Sequence, residues 1–160
     1  MKQLIETDTK NYRNIRKATP ADAFRIAEIE VFNYRLNFYP IFKNDEFYFS
    51  ELQVPKEAEK LSDREILQKT YVYDDGVVKG FIIIDGSEVW KLFVEPVLQG
   101  QSIGAELLEY AKEVHGVKAL WALEKNTRAI RFYEKYGFAV TDEKIFEEGT
   151  TEYLVRMKRR

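Results

Sequence analysis

Apolar positions along the chain alternate between two periods, and each switch marks an element. Ala23, Ile26, Ala27, Val31 and Tyr34 recur at helical spacing, which predicts a first helix with one buried face. Thr19-Pro20-Ala21-Asp22 opens it, with Thr as N-cap, Pro at the first helical position and an acid in the first turn. Asn14 to Ala18, just before, predicts a short first strand. Pro55 to Gln68 is charged apart from inward Ala58, Leu61 and Leu67, and predicts a solvated second helix. The pattern then turns to strands. Thr70–Tyr73, Val77–Ile84 and Glu88–Val94 are separated by Asp74-Asp75-Gly76 and Asp85-Gly86, which predicts an antiparallel meander. Helical spacing returns at Ile103, Leu107, Leu108, Ala111 and Val114, Gly116 is placed to end that helix, and Ala119–Leu123 follows as a strand. A helical crossover of this length makes the fourth and fifth strands parallel. The last helix starts at Asn126 or Thr127, carries Ala129, Phe132, Tyr133 and Tyr136 on one face, and stops at Gly137. Final strands are expected around Glu143–Phe146 and Glu152–Met157, joined through Glu148-Gly149.

Composition narrows the class. A chain of 160 residues suits one domain with a sizeable core, here 14–160, after a polar lead-in at 1–13. With 45% hydrophobic and 32% charged residues the balance is that of a soluble globular protein. A formal net charge of -2 lacks the basic excess that nucleic-acid or anionic-membrane binding needs, so neither partner is expected. The absence of Cys removes thiol nucleophiles and disulfides, and one His leaves no histidine cluster, so no metal is expected. No apolar run approaches membrane-spanning length and no signal-peptide layout is present, which points to the cytoplasm. His115, beside the end of its helix, is expected to be a surface residue favoured by the negative terminus.

Candidate chemistry begins at Gln99-Gly100-Gln101-Ser102-Ile103-Gly104, a Gly-containing turn between a strand and a helix. Such a turn is also found as plain structure, but its glycines allow close backbone approach, and the first N–H groups of a helix suit an anion. It resembles the Q/R-x-x-G-x-G/A acetyl-CoA motif of the GNAT superfamily of N-acetyltransferases, with Ser102 where the family prefers Gly. A small Ser is expected to cap the helix and leave its N–H facing the anion. Asn126-Thr127-Arg128-Ala129-Ile130-Arg131-Phe132-Tyr133-Glu134-Lys135-Tyr136-Gly137-Phe138 resembles the second hallmark of that superfamily, N-x-x-A-I-x-F-Y-x-x-x-G-F, in the expected order. No G-K-[ST] follows the first loop, which disfavours nucleotide hydrolysis.

The resemblance implies a mixed, mostly antiparallel sheet, flanked by helices, whose parallel fourth and fifth strands splay apart around acetyl-CoA. The backbone of Leu92, Phe93 and Val94 would pair with the pantetheine arm, and the main-chain N–H groups of Gln99, Gly100, Gln101, Ser102, Ile103 and Gly104 would hold the pyrophosphate. Asn126 would hydrogen-bond the arm and Phe132 would pack on it. Tyr133 matches the tyrosine that protonates the departing thiolate, or else a core tyrosine that only hydrogen-bonds the sulfur. The acceptor amine must lose a proton before it can attack, since a free alkyl amine has a pKa of roughly 10. Glu88 is the candidate general base, with Glu124 second, and for both the alternative is an ordinary surface acid. The aromatic segment after the first helix either packs that helix or lines the acceptor pocket, with Tyr34, Phe38 and Tyr39 the candidates for lining. A small-molecule amine is favoured over a protein N-terminus, and transfer is expected to be direct, without an acetyl-enzyme. The alternative is a non-catalytic acyl-CoA sensor. A homodimer is compatible with the resemblance, although no stretch specifies one.

Overall fold

The computed structural model describes residues 11–160. The expected lead-in lies outside the described residues, apart from Asn11 to Arg13. The strands are β1 (Ile15–Lys17), β2 (Thr70–Asp74), β3 (Val78–Asp85), β4 (Glu88–Val94), β5 (Ala119–Leu123), β6 (Phe138–Phe146) and β7 (Tyr153–Arg159). They form a seven-stranded sheet in the order β1-β2-β3-β4-β5-β7-β6. Every neighbouring pair is antiparallel except β4 and β5, which are parallel as the crossover requires.

Central β3 is apolar at consecutive positions because both of its faces are covered. Phe81 and Ile83 pack with Ile26 and Ile29 of α1 (Ala23–Asn37), whereas Ile82 and Ile84 pack with Leu107 and Leu108 of α5 (Ile103–His115). The α1 side also carries α2 (Tyr39–Phe42), α3 (Val54–Leu61) and α4 (Arg64–Lys69), and the α5 side carries α6 (Thr127–Lys135). The Thr19 N–H donates to Asp22 Oδ2 at 2.8 Å, and Arg16 pairs with the same carboxylate at 2.8 Å, fixing the entry to α1. After α2, a π-helical turn at Phe47–Glu51 folds Tyr48 and Leu52 onto Val31, beside Tyr34, Phe38 and Phe42.

Four expectations are corrected. Pro55–Gln68 is not one helix: α3 and α4 are separate because Asp63 turns its side chain to accept from the Glu65 and Ile66 amides, at 2.9 and 3.3 Å. Val114 is 55% exposed, since the stripe of α5 rotates away from the sheet by its last turn. His115 is a packed residue: its ring lies 4.8 Å from that of Tyr71 and 5.2 Å from that of Tyr110, and burial pushes its pKa below the ordinary value. The last two strands are longer than expected, with β6 starting at Phe138 directly after α6.

Candidate active site

Strands β4 and β5 pair only at Glu88 with Ala119 and Val89 with Leu120, and then separate. The cause is local. Ile83 opposes Lys91 and Ile84 opposes Val89, so Trp90 is an extra residue on β4, and this bulge re-aims the rest of the strand. From Trp90 to Val94 the β5-facing backbone edge therefore has no strand partner. The gap opens into a cavity on each side of the sheet.

The cavity on the α5–α6 side measures about 370 Å³. Leu92, Phe93, Val94, Gln99, Gly100, Ser102, Ile103, Gly104, Asn126, Phe132 and Tyr133 all border it. Gln101 does not; it is exposed at the turn. The amides of Gln101 to Ala105 have no backbone acceptor among the described residues, and Arg128 and Lys135 stand in the same wall without an ion-pair partner there. Free amides at a helix N-terminus with two cations are the donor set that a diphosphate requires. At Gly104 an added Cβ would meet Phe132 Cζ and Val94 Cγ2, each at 3.5 Å, so the absent side chain keeps this cleft narrow but open.

Ser102 differs from its expected part. It has φ 68°, in the left-handed region, and its side chain makes no capping bond to α5. The turn demands the conformation that glycine adopts freely, and Ser bears a cost of roughly 1–2 kcal/mol for adopting it. Order in the loop comes from elsewhere. Asn33, 1% exposed on α1, donates from Nδ2 to the Val94 carbonyl at 2.8 Å and accepts at Oδ1 from Gln99 Nε2 at 3.0 Å and Asn37 Nδ2 at 3.3 Å. Neither Asn33 nor Asn37 stands out in the sequence, because an Asn within a helical stripe reads as a solvent position.

On the α1 side a cavity of about 500 Å³ is walled by aromatic rings, including Tyr34, Phe38, Phe42, Phe47, Tyr48, Trp121 and Tyr133. Tyr39 is not among them: its ring packs on Tyr48 and Phe49, and its hydroxyl donates to Asp45. Lys91, Glu147 and Glu148 supply the charges, and neither glutamate has an ion-pair partner among the described residues. Burial, and beyond it the charge of Glu147, pushes the Tyr48 hydroxyl up to about 12. Glu88 borders neither cavity, and its carboxylate is held by Arg156. Glu124 is exposed and paired with Lys144. Each acid is claimed by a cation two strands away in the sheet order, Arg156 of β7 for Glu88 of β4 and Lys144 of β6 for Glu124 at the end of β5.

The two cavities share Leu92, Phe93, Asn126, Ala129 and Tyr133. Asn126 caps α6 by accepting from the Ala129 amide at 3.3 Å, which leaves its Nδ2 toward the cleft to donate. Tyr133 has no hydrogen-bond partner among the described residues, and its apolar surroundings push the hydroxyl pKa above the ordinary tyrosine value. It therefore stays protonated at neutral pH.

A sheet parted between two parallel strands, with a helix N-terminus at the opening, is a fold that the chain shares with solved N-acetyltransferase structures. Residues 67–140 match the family model described as acetyltransferase (GNAT) domain. The peptidyl-lysine N-acetyltransferase YjaB of Salmonella typhimurium is 37% identical over 70 residues, which are 44% of this chain and 48% of that protein. The chain spans about half the length of the curated relatives it matches. Among solved structures, the PaiA N-acetyltransferase of Thermoplasma acidophilum in complex with coenzyme A is similar at a TM-score of 0.71 and 22% identity, covering 91% of this chain and 98% of that one. The apo form of YjaB from Escherichia coli is similar at 0.68 and 21% identity, covering 91% and 95%.

Proposed function

We propose that the protein is an N-acetyltransferase that transfers the acetyl group of acetyl-CoA directly to the primary amine of a small-molecule acceptor. The observation that carries this reading is the pair of cavities that meet at Tyr133 and bear opposite charge. The α5–α6 cavity offers Arg128, Lys135 and free amides to an anion, and the α1 cavity offers Glu147 and Glu148 to a cation. Acetyl-CoA supplies the activated acetyl group. The amides of Gln101–Ala105 and the two cations hold its phosphates, while the open edge of β4 from Leu92 to Val94 pairs with its amide arm. Asn126 and Phe132 orient the arm at the junction.

Glu147, half-buried at the rim of the acceptor cavity, takes the proton that the acceptor ammonium must lose. The amine nitrogen then bonds to the acetyl carbon as the carbon–sulfur bond breaks, Tyr133 donates its proton to the sulfur, and the surplus proton on the new amide nitrogen leaves to restore the phenol. Glu147→Gln is expected to lower kcat/KM at neutral pH by about 10²-fold, with the deficit shrinking as pH rises toward the amine pKa of roughly 10. A pH–rate profile checks this, and a deficit that is constant with pH would remove Glu147 from the proton path.

A cavity of about 500 Å³ with aromatic walls favours a small acceptor over a protein chain. The similarity to a protein named a peptidyl-lysine N-acetyltransferase supports an amine acceptor in general. The test is thermal unfolding with acetyl-CoA, against ATP as control, followed by thiol release with a panel of amines. At about 100 times its dissociation constant acetyl-CoA stabilises by roughly 2.7 kcal/mol, which raises Tm by several degrees. A shift without thiol release from any amine would identify an acyl-CoA sensor instead, and no shift would reject both.

A further inference from the structure

Glu30 is an acid on the face of α1 that packs Ile26, Ala27 and Ile29 against the sheet, and it is 0% exposed. Its Oε1 is ion-paired with Lys91 Nζ of β4, and its Oε2 has no hydrogen-bond partner among the described residues. Such a pair is a poor way to hold a helix on a strand. Taking the Glu30 carboxylate out of water costs about what its attraction to Lys91 returns, and the second carboxylate oxygen adds an unmade hydrogen bond. Apolar residues of similar volume would join α1 to β4 at least as well.

What apolar residues cannot do is hold an ammonium in the wall of the acceptor cavity. Lys91 keeps 33% of its side chain exposed, borders that cavity, and has its Nζ 5.5 Å from the centre of the Tyr34 ring. Glu30 stands behind it, and the Tyr34 hydroxyl is pushed well above its ordinary pKa by burial and then by the Glu30 charge. The ammonium is thus anchored on its inner side, with its remaining N–H groups available to the cavity. A bare amine gains nothing from a fixed cation and is repelled by it. An acceptor with a carboxylate beside its amine gains a charge-assisted hydrogen bond.

We propose, resting on the acetyltransferase reading above, that the acceptor is a free amino acid with an apolar or aromatic side chain. Lys91 binds its carboxylate. The side chain lies against Phe38, Phe42 and Tyr48, and the amine reaches the junction at Leu92 and Tyr133. Glu147 and Glu148 attract the ammonium end of the same zwitterion. The transfer step is unchanged: one carbon–nitrogen bond forms, one carbon–sulfur bond breaks, and Tyr133 protonates the sulfur. Glu30 is a positioning residue that acts through Lys91.

The test compares acceptors that differ only in the carboxylate, phenylalanine against phenethylamine and leucine against 3-methylbutylamine, by thiol release from acetyl-CoA. The amino acid is expected to have a kcat/KM roughly ten- to hundredfold higher, the worth of a hydrogen bond to a charged group. Replacing the pair together, Glu30→Met with Lys91→Met, strands no buried charge, and should bring the ratio close to one while the acetyl-CoA thermal shift is kept. Glu30→Gln, which leaves the ammonium but frees it, should raise KM for the amino acid more than it lowers kcat, a split that a purely structural role would not produce. Equal turnover of the matched acceptors by the unaltered protein, or a preference that survives in the double variant, overturns the proposal and leaves the acetyltransferase reading standing. Absence of both the thermal shift and thiol release with every amine would end that reading, and this proposal with it.

Discussion

Tyr133→Phe is expected to lower kcat by about 10²–10⁴-fold, the usual worth of a positioned general acid, with acetyl-CoA affinity retained. The expectation rests on what the hydroxyl lacks. It has no hydrogen-bond partner among the described residues, so its removal leaves no group stranded, and the ring keeps its contacts with Phe132 and Phe138. Stability should hardly change, and the thermal shift with acetyl-CoA should equal that of the unaltered protein. Because surrounding apolar groups keep the phenol protonated, loss of the proton donor should be seen across the neutral range and not only at one end of it. Steady-state kinetics with thiol detection measures the effect. A variant within a few-fold of the original kcat would show that Tyr133 only packs, and that the leaving thiolate takes its proton from water.

Asn33→Leu should produce the largest change among residues outside the two stretches that form most of the α5–α6 cavity. The substitution keeps the volume but removes the amide that joins the Val94 carbonyl and Gln99 Nε2 at 2.8 and 3.0 Å in a 1% exposed position, leaving those two groups only their own 3.4 Å contact. Weakening these buried bonds costs about 1–3 kcal/mol, or roughly 3–8 °C in Tm for a chain of this size. A second effect separates this loss from ordinary core damage. Gln99 opens the loop whose amides face the anion, so its release should raise the KM for acetyl-CoA while kcat at saturation holds. Thermal unfolding and a titration with acetyl-CoA check the two parts independently. If KM stays constant while Tm falls, Asn33 supports the sheet and not the loop.

The sequence made the frame legible because the frame follows local rules. Asp-Gly turns, the switch from strand to helical spacing at Ile103, and glycines at Gly116 and Gly137 each carry their own conformational reason, and the parallel β4–β5 pair follows from the crossover. Most residues that border the α5–α6 cavity were legible for the same reason, since they lie in two contiguous stretches. Those of the α1-side cavity were not. Tyr34 and Phe38 border it, but Tyr39 one residue on packs away, because α2 begins there and turns the chain. Glu147 and Glu148 come from a hairpin far along the chain, and Lys91 and Glu30 become partners only when α1 lies across β4. Glu88 illustrates the opposite error: a carboxylate on the expected strand is drawn off by Arg156 of β7, a neighbour that only the sheet order supplies.

The bulge at Trp90 gives the sheet an edge in its interior. Edge strands are templates for any extended chain, and proteins ordinarily guard them with charge, proline or a covering element. Here one edge of β4 is bonded to β3, while its β5-facing edge from Trp90 to Val94 is unpaired and opens on a cavity at each face of the sheet. An extended, amide-bearing ligand would complete that edge as an added strand, so the bulge that parts β4 from β5 would make both the exposed edge and the means of covering it.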